Sequence, residues 1–200
     1  MDGYWHTLAW ALMGNHFHLA IKVKSTEEIL NKASKDFKRV DVGFLSKHKE
    51  IIENHRSYRS TDLPSFENLA GLTALQPHLL AWAVSERYRR FLMGYAKAIN
   101  KQQARTGSLF QKTTRRKHLE SEADFTGTIC YIHHNPIHHD LAVTYDQYQW
   151  SSYLSYLDPN IVYSRPVSDL FESVEHFVHV HKEYQEYKKA NSYCVENERL

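Results

Sequence analysis

Cysteine is scarce in this chain of 200 residues, where it occurs only at Cys130 and Cys194. Two cysteines cannot build a disulfide framework, and they exclude a zinc site made from paired CxxC motifs. Long apolar runs are also absent, because the longest, 8–13 and 79–84, span six residues each, whereas a membrane-spanning helix needs about 20. The first residues lack a basic region followed by an apolar core, so no secretory signal is expected. These absences predict a protein of the reducing cytoplasm, without a membrane span.

Acidic residues are absent from one long stretch of the chain. Residues 87–119 contain ten Lys and Arg and no Asp or Glu, so the remainder carries 15 basic against 23 acidic residues. A solvated helix face usually mixes the two signs, so this segregation favours a polyanionic partner, most often nucleic acid. Three successive cations, Arg115 to Lys117, cannot all be buried and are the strongest candidates for phosphate contacts. The candidate DNA-binding residues are Arg87, Arg90, Lys97, Arg105, Lys112, Arg115, Arg116 and Lys117.

The apolar content of 42% and charged content of 24% are those of a folded globular chain. Residues 4–23 are rich in aromatic and branched side chains and are interrupted only at Gly14-Asn15, a turn dipeptide. This pattern predicts a hairpin of two strands, about 5–12 and 16–23. In the second strand, His16 and His18 share one face and the hydrophobes from Phe17 onward share the other, which we expect to face the core.

The later part of the chain predicts mainly helices. Apolar residues recur at helical spacing over about 78–103, and a capped segment with early acids predicts a helix from Ser121 to about His134, which Pro136 should end. Between them, residues 108–117 are interpreted as a strand after a turn at Thr106-Gly107. The weaker predictions are helices at about 25–38, 44–57, 166–172 and 173–189, a loop at 57–77, and short turns after Leu141.

The motif His16-Phe17-His18 places two imidazoles side by side on a strand, where both can offer a ring nitrogen to one metal ion. The signal is weak alone. The chain holds 14 histidines, so such pairs arise by chance, and His179-Val180-His181 is a second example. Most histidines of this kind are structural rather than metal ligands.

A second candidate lies in the helix near residue 131, where Tyr131 and Asn135 are one turn apart on the same face. A tyrosine hydroxyl has an ordinary pKa of about 10 and becomes a nucleophile only beside a metal or cationic groups. With 13 tyrosines in the chain, packing is the common role of any one of them. Taken with the histidine pair, however, Asn135 would complete a set of two nitrogen ligands and one oxygen ligand, which suits Mg²⁺ or Mn²⁺ when phosphate and water fill the other positions.

Four blocks of the sequence together resemble the single-tyrosine HUH transposases, in particular the REP-associated tyrosine transposases. These blocks are LMGNHFHLAIKV at 12–23, RYRRFLMGYAKAINKQQARTGSLFQKTTRRKHL at 87–119, YIHHNPIHHDLA at 131–142 and YQWSSYLSYL at 148–157. They follow the family's order and cover roughly half of the chain. The combination is far more specific than either short motif.

The resemblance implies an α+β fold, a ferredoxin-like HUH α/β sandwich with a central antiparallel sheet. It would span residues 1–157, with a variable helical insertion at 25–77 and a helical C-terminal extension at 158–200. The implied activity is metal-dependent nicking and rejoining of single-stranded, hairpin-bearing DNA through a covalent 5′-phosphotyrosine. By residue, Tyr131 matches the nucleophile, His16 and His18 match the paired metal ligands, and Asn135 matches the polar residue that completes the metal site. His133 and His134 point away from that face. Together with His138 and His139 they would form a histidine patch just past the helix, which could contact phosphates when protonated but is expected to be solvated surface.

The sequence departs from the family pattern in two places. The family opens with a strand and a helix before the paired histidines, which we expect to be missing here, and Gly14 replaces a usual proline. A truncated or repurposed relative that binds hairpin DNA without cutting it is therefore an alternative. An unrelated metal-dependent hydrolase or structural metal protein is a third, although it does not explain the acid-free stretch. Relatives act as monomers or homodimers, and the sequence does not choose between them.

Overall fold

The structure is a computed structural model that describes residues 3–54, 65–111, 114–157 and 170–197, with side chains up to residue 191. Its described residues form a two-stranded antiparallel sheet and seven α-helices, which confirms a mixed α+β class. None of the described helices is long and apolar enough to cross a membrane. The strands are β1 (Trp5–Leu12) and β2 (Phe17–Val23). The helices are α1 (Thr26–Asp36), α2 (Val42–Lys47), α3 (Lys49–Glu53), α4 (Phe66–Ala70), α5 (Gln76–Gln102), α6 (Glu122–His138) and α7 (Val174–Asn197).

The chain divides into two compact units. The first unit comprises residues 1–5 and 23–116, and the second comprises residues 6–22 and 117–200. The predicted insertion at 25–77 belongs to the first unit. The predicted extension at 158–200 belongs to the same unit as α6, although the division at residue 157 stays a prediction.

The first unit is built around helices α1, α4 and α5. Ser25 caps α1 through a reciprocal capping box with Glu28, and Pro77 lies in the first turn of α5, where its missing N–H costs nothing. Aromatic rings fill the centre: Trp82 contacts Phe37 at 5.1 Å and Phe66 at 6.0 Å between ring centroids. The expected loop at 57–77 is wrong for residues 65–77, which hold α4 and a 3₁₀ turn (Thr73–Leu75), because their apolar side chains are buried. These are Phe66, Leu69 and Leu75. The helix expected at 44–57 is instead α2 and α3, and residues 55–64 lie outside the described chain.

Helix α5 ends in a turn that places a non-glycine residue in the left-handed region. Ala104 has φ 47°, and the amide of Arg105 donates to the Asn100 carbonyl at 2.9 Å, as in a Schellman motif. The Cβ of alanine is disfavoured there, and glycine is not. The turn at Gly107, with φ 98°, is confirmed.

We therefore expect Ala104→Gly to stabilise the protein by about 1 kcal/mol. The matched control is Ala98→Gly, an exposed position inside α5, which should instead destabilise it by about 1 kcal/mol. Chemical denaturation of both variants measures the sign of each change in the free energy of unfolding. Destabilisation by both would mean that the turn at Ala104 is not formed as described.

The strand expected at 108–117 is absent from the described residues 108–111 and 114–117, which form neither strand nor helix. A strand needs a partner edge for its backbone groups, and no described strand pairs with this segment. The segment is held locally instead, by the Asn100 side chain that donates to the Gly107 carbonyl at 2.9 Å. Tyr95 of α5 packs against Phe110 at 5.9 Å between ring centroids.

In the second unit the predicted hairpin is present. The amide of Met13 donates to the His16 carbonyl at 2.8 Å across Gly14 and Asn15. The expected core face is wrong, however. On β2 the side that carries the histidines also carries the buried Ala20, while the hydrophobes opposite are half-buried or, like Val23, exposed. The histidine face is therefore the one that packs into this unit.

Residues 150–152 cover the outer edge of β1. The amide of Leu12 donates to the Trp150 carbonyl at 2.8 Å, and that of Ser152 donates to the Trp10 carbonyl at 2.9 Å. An antiparallel bridge joins Ala11 to Ser151 between them. The hairpin therefore has a third extended segment beside β1, whereas β2 pairs with β1 alone among the described strands.

Helix α6 begins at a capping box formed by Ser121 and Asp124, as the sequence predicts. It does not end before Pro136 but continues to His138. Pro136 is buried inside the last turn, and the helix closes with a Schellman motif. In that motif Asp140 has φ 55° and the amide of Leu141 donates to the Pro136 carbonyl at 2.8 Å. Proline removes only one helical donor, and this close packing and capped end outweigh that loss.

Candidate functional site

Tyr131 is the exposed residue of an otherwise buried stretch of α6. Residues 129–136 are all buried except Tyr131, whose side chain is 45% exposed. An aromatic ring that is 45% exposed gains less from burial than its fully buried neighbours do. Its hydroxyl is therefore accessible to a ligand from solvent.

His18 on β2 lies beside Tyr131, with 5.4 Å between the ring centroids and an edge-on contact. The Nε2 atom of His18 is buried and has no hydrogen-bond partner in the structure. Burial lowers the pKa of His18, and the neighbouring His16 and His139 add to that effect. The imidazole of His18 is therefore neutral at pH 7. Buried polar atoms are usually partnered, so an orphan nitrogen beside an exposed tyrosine indicates a place for a ligand.

His16 is exposed and lies 5.2 Å from His18 between ring centroids. Its Nδ1 contacts the Oδ1 of Asn15 at 2.5 Å. An amide oxygen only accepts hydrogen bonds, so Nδ1 is the donor in this contact. This is the arrangement that orients metal-binding histidines, in which the second ring nitrogen donates to an oxygen.

Asn135 is buried, with 2% exposure, one helical turn after Tyr131. Its Nδ2 donates to the Tyr131 carbonyl at 2.7 Å. That bond fixes the carboxamide against the turn that carries the tyrosine. No described residue donates to the Asn135 Oδ1, so the amide oxygen is available as a ligand.

The structure thus joins His16, His18 and Tyr131 through ring contacts, and Asn135 bonds to the Tyr131 carbonyl one turn later on α6. All four predicted residues belong to the second unit. Two imidazoles and one amide oxygen are ligand types that fit a divalent cation such as Mg²⁺ or Mn²⁺ that completes its shell with phosphate and water. Among the described residues, no group of three or more His, Cys, Asp or Glu is arranged to hold a metal ion. The predicted set contains only two residues of those types.

A further histidine that the sequence reasoning placed on the solvated surface lies at this site. His139 caps the end of α6, and its ring lies 5.3 Å from that of His16. His138 is next to it at 5.1 Å. Nothing in the sequence brings the end of α6 to the start of β2, because the tertiary packing of the hairpin on the helix decides it.

His133 and His134 indeed point away from the site, into the core, and so are not part of a surface histidine patch. His133 Nδ1 lies 2.8 Å from His181 Nε2, and His133 Nε2 lies 2.8 Å from the Ser152 hydroxyl. His181 in turn donates from Nδ1 to the Phe177 carbonyl at 2.8 Å. This chain of bonds ties α6 to α7 and to the segment beside β1, and it can be completed with both imidazoles neutral.

The buried imidazoles have strongly shifted pKa values. Burial lowers the pKa of His181 to about 4 and that of His133 well below its usual range. Burial also lowers the pKa of His134 to about 4, with help from His138 and two lysines of α7. In the second histidine pair, His181 is therefore a buried structural residue, whereas His179 is exposed to solvent.

The candidate DNA-binding residues divide into paired and unpaired cations. Glu86, one residue before the acid-free stretch, binds Arg90 at 2.8 Å and also binds Arg89. Arg90 additionally stacks over Phe37 at 4.5 Å, and Arg87 is half-buried. Lys117, in the second unit, lies 3.8 Å from Asp124 with both side chains exposed.

The remaining candidates are exposed, and no described acidic residue lies within ion-pair distance of them. Unpaired surface cations are the ones free to bind phosphate. They are Lys97, Arg105, Arg115 and Arg116, which belong to the first unit. Lys112 lies outside the described residues.

Comparison of this chain with protein-family models, with curated proteins and with solved structures finds no match.

Proposed function

We propose that this protein is a metal-dependent single-stranded DNA transposase or nickase of the single-tyrosine HUH kind, in which Tyr131 forms a covalent 5′-phosphotyrosine. The observation that carries the proposal is the position of Tyr131. It is exposed within a buried helical stretch, beside a histidine whose buried nitrogen lacks a partner.

In the proposed reaction the Tyr131 oxygen attacks a phosphorus of the DNA backbone. The new Oη–P bond forms as the P–O3′ bond breaks, the tyrosine proton passes to solvent, and the departing 3′-oxygen takes up a proton. The bond from Asn135 to the Tyr131 carbonyl holds this turn of α6 in place. A divalent cation held by His16, His18 and Asn135 would supply polarisation of the phosphate and stabilise the tyrosine oxyanion. Attack by a second 3′-hydroxyl reverses the step and rejoins the strands without an external energy source.

The exposed cations of the acid-free stretch support a DNA substrate, because four of them have no acidic partner among the described residues. The proposed setting is a hairpin-bearing single strand in the cytoplasm, bound by a monomer or homodimer. In this proposal the catalytic half of the HUH sandwich corresponds to three parts of the protein, namely the β-hairpin of β1 and β2, residues 150–152 and α6.

The test is a denaturing gel of the protein mixed with labelled hairpin-bearing DNA, with Mn²⁺ or Mg²⁺ and with EDTA. A label on the 5′ side of the nick should leave the protein free of label, and a label on the 3′ side should move with the protein. Salt-sensitive DNA binding without any linked band would favour the alternative, a binding protein derived from such an enzyme.

The unpaired cations make a separate prediction. Changing Arg115 and Arg116 together to glutamine should lower the slope of log affinity against log salt by about 1.4, because each lost phosphate contact on a single strand removes about 0.7. The matched control changes Lys47 and Lys49 to glutamine, since both lie outside the acid-free stretch in the same unit. Equal effects in the two double variants would show that bulk charge, rather than this stretch, binds the DNA.

A further inference from the structure

The first unit contains a basic cleft that no step of the proposed reaction uses. The cleft has a volume of about 690 Å³, which is within the range of about 300–1,000 Å³ that is typical of small-molecule sites. Residues 3–4 before β1, residue 24 after β2, helix α1 and the middle of α5 line it. Sites of this size are usually lined by apolar side chains, whereas this lining holds four cations: Lys24, Lys32, Lys35 and Arg87.

Two of these cations are already neutralised by carboxylates of α1. Lys32 Nζ lies 2.6 Å from Asp36 Oδ1, and Lys24 Nζ lies 3.9 Å from Glu28 Oε1. Partial burial opposes ionisation of Asp36, but hydrogen bonding and nearby cations, Lys32 first among them, hold its pKa below the ordinary value. Asp36 is therefore a carboxylate at pH 7, and its charge is compensated within the fold.

Lys35 and Arg87 have no such partner. No described acidic residue lies within ion-pair distance of either side chain. Lys35 is exposed, but Arg87 is half-buried, and a charged group that is partly removed from water is normally paired. Four cations against the two carboxylates leave a charge of +2 among the described residues of the cleft. A concave surface with this excess favours an anion of about two negative charges.

We propose that this cleft binds a phosphorylated ligand of about nucleotide size, whose phosphate group is held by Arg87 and Lys35. A phosphate monoester carries a charge of about −1.5 to −2 at pH 7, which matches the excess charge of the cleft. A guanidinium binds two phosphate oxygens at once, and lysine adds a further charge-assisted hydrogen bond. Asn31, which also lines the cleft, offers an amide to the rest of the ligand.

This inference does not rest on the proposed function, because the cleft belongs to the first unit and Tyr131 to the second. Two sources carry a phosphate group of this kind, a free nucleotide and a DNA strand. The probes are therefore adenosine diphosphate and a short single-stranded oligonucleotide without terminal phosphates, each titrated into the full chain by calorimetry.

Arg87→Gln should weaken the binding of adenosine diphosphate at least about tenfold, since a hydrogen bond between two charged groups is lost. Lys35→Gln, at an exposed position where folding should be unaffected, should weaken it about threefold. The control changes Lys47 and Lys49 to glutamine, which removes as many charges from the same unit as the double cleft variant does. Circular dichroism checks that every variant is folded.

The competition between the two probes identifies the source of the phosphate. Binding of adenosine diphosphate that the oligonucleotide does not displace would assign it to a free nucleotide. Displacement by the oligonucleotide, or oligonucleotide binding in its place with the same dependence on Arg87 and Lys35, would assign it to a DNA strand. The inference is overturned if neither probe binds, or if the Arg87→Gln Lys35→Gln double variant binds both probes within about twofold of the control. Adduct formation at Tyr131 is measured separately, so that result leaves the proposed function to its own test.

Discussion

Tyr131→Phe is expected to abolish the covalent DNA adduct and strand cleavage while DNA binding and folding stay unchanged. The substitution removes one oxygen atom, and that oxygen is the proposed nucleophile. The ring remains, so its edge-on contact with His18 is kept. Because the hydroxyl is on a side chain 45% exposed to solvent, its loss leaves no buried group unpaired and should change the free energy of unfolding by less than about 0.5 kcal/mol.

The matched control is Tyr187→Phe, which removes a hydroxyl from another exposed tyrosine of the same unit. It should cleave and bind DNA as the wild type does. Adduct formation is measured on a denaturing gel and binding on a native gel. Residual cleavage by Tyr131→Phe at the wild-type rate would show that another group attacks the phosphorus.

Acidification is expected to unfold the second unit before the protein reaches pH 4. His181 is neutral in the folded core, where its pKa is about 4, and it titrates near 6.5 once unfolded. The unfolded chain therefore binds a proton that the folded chain excludes, so stability falls as pH drops from about 6.5 towards 4. This single group costs about 3 kcal/mol over that window.

His133 and His134 add to the same effect, since the pKa of each is also lowered by burial. At pH values where the unfolded chain binds a proton at such a group and the folded chain does not, each group lowers the free energy of unfolding by about 1.4 kcal/mol per pH unit. A protein of ordinary stability has only about 5–15 kcal/mol in total. The loss over this window is therefore expected to be a large part of the total stability.

The measurement is urea denaturation between pH 7.5 and 4.5. His179→Gln, which removes an exposed histidine, should follow the wild-type curve. His181→Leu should be less stable at pH 7, because His133 loses its partner at 2.8 Å, but its stability should depend less on pH. Wild-type stability that stays constant down to pH 4.5 would contradict the buried neutral network.

Some of the fold follows from the sequence because local signals decide it. Gly14-Asn15 makes the hairpin turn, the capping box at Ser121 starts α6, and Gly107 takes the left-handed φ that its turn requires. In each case neighbouring residues alone fix the geometry. The adjacency of His16 and His18 likewise needs only the alternation of a strand.

Other features depend on contacts that a single sequence does not display. A strand at 108–117 requires a partner edge, and no described strand pairs with this segment. Pro136 was expected to end its helix, but burial and the turn at Asp140 carry the helix past it. The contact of His139 with His16 and that of His181 with His133 form only because distant elements of the chain pack together.

The core of the second unit also explains why WSSY at 150–153 matters. Ser152 accepts from the Trp10 amide at 2.9 Å and contacts His133 at 2.8 Å, so one hydroxyl joins the sheet to α6. In the sequence, Ser151 and Ser152 are only a polar pair between two aromatic residues. Their structural role depends on how residues 150–152 hydrogen-bond to β1, which the sequence alone does not show.

The central claim is that Tyr131 becomes covalently attached to DNA, and mass spectrometry tests it most directly. The wild-type protein is incubated with a short hairpin oligonucleotide and divalent metal, digested with nuclease and protease, and its peptides are fragmented. The account predicts a nucleotide phosphate on Tyr131 that is absent when EDTA is added. Attachment to a different residue, or cleaved DNA with no modified peptide, would contradict it.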